Sequence, residues 1–194
     1  MASVASADYS VINLHIFGSP KQEQFATADL HAAHFPEEGK SHAHFFIVDQ
    51  LITAGQPVCI SFTEQGACSH AGKTLEELYP DEPAVPEDYD FSLSQAEMEA
   101  YRAQPDLRSP YRLTVSNPSG ETLSISTAST DGFTLSARWL QDWHSESLQI
   151  SLHGYRQASD DAKDEKVDYF QTRLQLGESL HLVIDSVDDS AAKI

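Results

Sequence analysis

Apolar and polar residues alternate through most of the C-terminal half of the chain, the period-two pattern of strands with one buried and one wet face. From Tyr111 onward, Leu113 and Val115 point one way while Arg112, Thr114 and Ser116 point the other. Leu123 and Ile125 alternate with Thr122, Ser124 and Ser126, and the intervening Asn117-Pro118-Ser119-Gly120 has turn chemistry, so the two segments read as a hairpin. Phe133, Leu135, Ala137 and Trp139 follow an Asp131-Gly132 turn as a third strand. Leu148, Ile150 and Leu152 define a fourth, Val167 to Leu174 a fifth, and Leu180, Leu182 and Ile184 a sixth after Gly177.

The N-terminal half is less regular. It holds strand candidates at Tyr9 to Phe17, His42 to Asp49 and Pro57 to Phe62, while Thr27 to His34 reads as a short helix. Two Ser/Thr-x-x-Glu capping boxes, Thr74 with Glu77 and Ser94 with Glu97, predict short helices reaching Tyr79 and about Ala103. The sum is a mainly β chain: an antiparallel β-sandwich or jelly-roll-like barrel of about nine strands with two or three short helices.

Charge adds a constraint that the pattern lacks. Thirty Asp and Glu face twelve Lys and Arg in 194 residues, a formal net charge of -18. Such a surface repels phosphate backbones, so direct nucleic-acid binding and anionic membranes are not expected, whereas a basic partner protein is. No apolar run approaches the roughly 18 residues of a membrane span, and no basic start precedes an apolar stretch at the N-terminus. Two cysteines, Cys59 and Cys68, fit reduced thiols in a cytoplasmic protein, with a bridge between them left open.

The charge is uneven. Between Thr74 and Tyr101 lie Glu76, Glu77, Asp81, Glu82, Glu87, Asp88, Asp90, Glu97 and Glu99 with no Lys or Arg. Pro80, Pro83 and Pro86 break this stretch, so residues 80–92 read as a connecting loop between an N-terminal part, 1–79, and a C-terminal β-meander part, 93–194, of a single domain spanning 1–194. Acids supply steering and aromatics supply contact area, which makes Glu82, Glu87, Asp88, Tyr89 and Asp90 the candidate partner-binding residues.

Nucleophile elbows, phosphate loops, zinc-protease helices and cysteine-pair zinc sites are missing from the sequence, so the chain reads as a binding protein more readily than as an enzyme. Histidine is the one enriched reactive residue, with His31, His34, His42 and His44 crowded together. On a strand, His42 and His44 project from the same side and are spaced to share a divalent transition metal if a further group, Asp49 or His70, closes the site. The run His42, His44, Asp49 and Gly55 resembles the first motif of the cupin family, a resemblance that implies a metal-binding barrel with His42 and His44 as ligands. The second cupin motif has no counterpart, and membership is not assigned.

Three readings follow. The first is a non-enzymatic acidic binding protein, an inhibitor or immunity-type protein docking on a basic partner such as a toxin or nuclease, with no cofactor. The second is a metal-dependent β-barrel enzyme or metal-binding protein, and the third is a structural component of a larger assembly. Oligomeric state is not legible in the sequence.

Overall fold

The alternating segments form strands. The structure, a computed structural model, describes residues 3–4, 9–34, 42–63, 70–81, 94–108, 110–128, 130, 132–156 and 165–187. In chain order the elements are β1 (Val11–Gly18), β2 (Ala26–His34), β3 (His42–Ile52), β4 (Pro57–Ser61), α1 (Leu75–Leu78), α2 (Gln95–Arg102), β5 (Tyr111–Ser116), β6 (Thr122–Ser126), β7 (Phe133–Leu140), α3 (Gln141–His144), β8 (Ser147–Arg156), β9 (Glu165–Gln175) and β10 (Ser179–Ser186). They build two antiparallel sheets, one ordered β3-β2-β1-β7-β8-β9 and the other β4-β10-β5-β6. Among the described residues each sheet ends in edge strands, so the architecture is a sandwich and not a closed barrel.

One element differs in type from its sequence reading. Thr27 to His34, expected as a helix, lies in the strand Ala26–His34, which brings the strand count among the described residues to ten. Alanine favours helix locally, but β2 lies between β1 and β3 and pairs with both along its length. Ala26, Ala28 and Ala32 are buried in that setting. Tertiary pairing has overridden a weak intrinsic preference.

The core lies between the sheets. Ile16, Leu135, Leu152 and Leu174 project from the larger sheet against Leu113, Val115, Leu182 and Ile184 of the smaller. All eight are essentially removed from solvent, and each side chain of this kind contributes about 1.5–3 kcal/mol on burial. Strands from both ends of the chain meet in each sheet, β1 against β7 and β4 against β10. A smaller apolar cluster of Tyr9, Ala32 and Phe46 extends the core at the β2–β3 side.

Tyr111 ties the layers together. Its fully buried ring, at the start of β5, packs edge-on to Phe25 and Phe133. Its hydroxyl proton is directed at the carbonyls of Phe25 (2.7 Å) and Ser19 (3.0 Å) in the β1–β2 connection. Arg108 donates to the Gln22, Glu23 and Gln24 carbonyls of the same connection, pinning the segment before β5 to it. Gly18 makes room for this packing, since a Cβ there would stand 2.5 Å from Cε1 of Phe133.

Both capping boxes form as predicted. The Thr74 and Ser94 hydroxyls accept from the Glu77 and Glu97 backbone N–H groups, and each carboxylate accepts from its cap residue's N–H. None of the four α1 residues is buried, so the box rather than packing holds this helix. The same logic extends to the mostly exposed α2. Ser94→Ala is expected to cost about 1 kcal/mol of helix stability, seen as faster amide exchange at Met98 and Ala103 with little change in the melting temperature.

Candidate functional site

The residues singled out in the sequence fall in three places. Glu82, Glu87, Asp88, Tyr89 and Asp90 lie outside the described residues, as does Cys68. Cys59 is exposed on the edge strand β4. His42 and His44 both lie on β3, where His42 pairs with His34 and His44 with Ala32.

Among the described side chains the candidate metal ligands His44, Asp49 and His70 do not gather, and the His42 side chain lies outside them. Asp49 is five residues beyond His44, roughly 16 Å along an extended strand, at an irregular point with positive φ where its N–H donates to the Asp29 carboxylate. His70 packs against Phe46, accepts at Nδ1 from the Gly72 N–H (3.0 Å) and donates from Nε2 to the Phe46 carbonyl (3.1 Å). Both ring nitrogens are thus spent on backbone. His44 Nδ1 lies 3.2 Å from the Tyr9 hydroxyl in the smaller apolar cluster. Among the described residues no group of three His, Cys, Asp or Glu is placed to hold a metal ion. The ligand set that the cupin resemblance implied is not assembled by the described side chains.

What the fold does assemble is the outer face of the six-stranded sheet. Cross-strand neighbours share a face, so the register places Phe45, His31, Asn13, Arg138, Gln149 and Arg173 in one row across all six strands. The adjoining row runs Asp29, His15, Ser136, Ser151 and Gln171 from β2 to β9. Phe45 apart, these residues occupy the polar positions of the alternation, whose apolar positions face the core. An open groove of about 800 Å³ runs over this face, lined by side chains of both rows from β1, β7, β8 and β9 together with Lys166.

The groove carries cations in an acidic protein. Arg138 and Arg173 are exposed, two strand spacings apart, roughly 10 Å between backbones, with Gln149 between them. Neither has an acidic partner among the described residues, whereas Lys166 pairs with Asp168 at 3.0 Å. The neutral lining is chemically versatile, because Asn, Gln and Ser both donate and accept hydrogen bonds.

Histidines brace one end of the groove. His15 and His31 stack with their planes 11° apart and centroids 5.9 Å apart. Ser136 Oγ lies 3.2 Å from His15 Nδ1, and the Asn13 amide donates to Nε2 of His31, which keeps that nitrogen unprotonated. Burial, then the neighbouring His15, lower the pKa of His31, with Asp29 opposing. Burial, then Lys166, likewise lower that of His153, whose Nδ1 is buried without a partner among the described residues.

A pH dependence follows from these directions. Both folded-state pKa values lie below the ordinary 6.5, so the stability these imidazoles contribute is present above about pH 6.5 and lost as the pH falls below it. The melting temperature is expected to drop between pH 7.5 and 5, and less steeply in a His31→Gln, His153→Gln variant. Equal slopes in the two proteins would contradict this assignment.

No protein-family model, no curated protein and no solved structure matches the chain.

Proposed function

We propose that the chain is a binding protein whose recognition surface is the outer face of the six-stranded sheet, and that it takes an anionic ligand in the groove across β1, β7, β8 and β9. One observation carries the reading. In a protein with 30 acids and 12 bases, two arginines flank Gln149 on a polar groove without a carboxylate partner among the described residues. A guanidinium offers a planar fork of donors suited to a carboxylate, sulfate or phosphate oxygen pair. The negative surroundings weaken long-range attraction of anions, so recognition rests on short-range hydrogen-bonded contact inside the groove. Titration calorimetry with citrate, inorganic sulfate, trigalacturonate and hexaglutamate tests this: at least one binds, and Arg138→Gln with Arg173→Gln weakens it by about tenfold or more. No binding by any of the four, or binding equally tight in the double variant, overturns the reading.

A second reading retains the acidic surface as a docking site for a basic partner protein, such as a nuclease or other toxin with a cationic cleft. It is supported by the exposed Glu76 and Glu77 of α1 and the exposed Glu97 and Glu99 of α2, which flank residues 82–93. On this reading, replacing the four acids by glutamine slows association with the basic partner and flattens its salt dependence, while Gln at positions 77 and 97 keeps the capping geometry. Unchanged association would remove it.

A further inference from the structure

Resting on the groove reading, we infer that the ligand is an acidic oligosaccharide, a short chain of sugar rings bearing carboxylates, rather than an acidic peptide. The lining separates the two. The groove crosses four strands over their side chains, on the outer faces of β1, β7, β8 and β9, and reaches the sheet edge only at its β9 end. A peptide laid across the strands would meet side chains rather than a ladder except at the outer margin of β9, and would find no apolar pockets for alternate side chains, a feature by which extended peptides are recognised. Among the lining residues only Ile150 is aliphatic.

A sugar chain makes the opposite demand. Each ring presents several hydroxyls that both donate and accept, and the groove answers with groups of the same dual character: Asn13, Ser136, Ser151, Gln149 and Gln171. These are fixed to strands of the sheet rather than to loops, which lowers the ordering cost of binding. Arg138 and Arg173 flank Gln149 in one row, so a carboxylate seated over Gln149 meets a fork from either side. The remaining cation, Lys166, lies seven positions from Arg173 on β9 and already holds Asp168, leaving the two arginines as the charge-reading pair. The groove volume of about 800 Å³ sits in the upper part of the range for small-ligand sites and suits a few rings.

The test uses the full chain and three probes: trigalacturonate, its methyl ester, which keeps the rings and removes the charge, and hexaglutamate. Calorimetry should show trigalacturonate binding most tightly and the methyl ester weaker by about tenfold or more, the loss expected for one charge-assisted contact. Arg138→Gln with Arg173→Gln should bring the acid down to the level of the ester. Ser151→Ala with Gln171→Ala should weaken acid and ester alike. The substituted arginines are exposed, and an unchanged melting temperature confirms that the variant is folded. If hexaglutamate binds through the two arginines and trigalacturonate does not, the sugar inference falls and the anion-binding reading stands. If neither binds, both fall.

Discussion

Replacing Tyr111 by alanine is expected to destabilise the protein by about 4 kcal/mol, within the 3–5 kcal/mol typical of deleting a buried aromatic ring. The ring is fully buried against Phe25 and Phe133, and its hydroxyl satisfies the β1–β2 connection through the Phe25 and Ser19 carbonyls. Tyr111→Phe removes only the hydroxyl and should cost about 1–2 kcal/mol, the penalty of leaving a buried acceptor unpaired. Chemical denaturation distinguishes the two, with the midpoint falling in both variants and much further for alanine. Burial also pushes the phenol pKa above its ordinary 10.0, so an alkaline loss of stability beginning near that pH should be weaker in Tyr111→Phe. Equal costs for Phe and Ala would mean that the ring itself contributes little and that the two sheets are held together elsewhere.

The second large effect is on binding. Reversing both groove arginines, Arg138→Glu with Arg173→Glu, should weaken the anionic ligand by about a hundredfold or more, because like charges in contact cost several kcal/mol. Each side chain is exposed and engages no described carboxylate, so the same change should leave the melting temperature nearly unmoved. Reversing two other exposed cations, Arg112 on β5 and Lys73 before α1, changes net charge equally but lies outside the groove lining. That control separates a local contact from a general effect of charge, which would weaken binding in both variants by the same factor.

The sandwich was legible where burial alone dictates pattern. In β5, β7 and β10 one face meets the core and the other meets water, so Leu113, Leu135 and Leu182 occupy the positions that alternation assigns them. The helix starts were legible because a capping box is a local hydrogen-bond exchange needing no tertiary partner. Ala26–His34 was misread because its alanines carry a helical preference, and what decides its state is pairing with β1 and β3, which no short window contains.

The groove was illegible for a related reason. Asn13 and His15 are far in sequence from Arg138, and farther from Arg173, and each is an ordinary polar position on its own strand. They become neighbours only because β1 inserts beside β7, and β9 closes the sheet through β8. The available signal was Arg138, which follows Thr134 and Ser136 on the polar face of β7. The clustered histidines, by contrast, drew attention in sequence. The structure engages His44 and His70 with Tyr9 and backbone, while His15 and His31 brace the groove.

Backbone amide chemical shifts, followed while trigalacturonate and then hexaglutamate are titrated into the labelled protein, locate the recognition surface most directly. The expected result is a set of shifts concentrated at Asn13, His15, Ser136, Arg138, Gln149, Ser151, Gln171 and Arg173, with the four-stranded sheet unchanged. Shifts confined to α1 and α2 or to the four-stranded sheet, or none with either anion, would contradict the assignment of the outer face as the site.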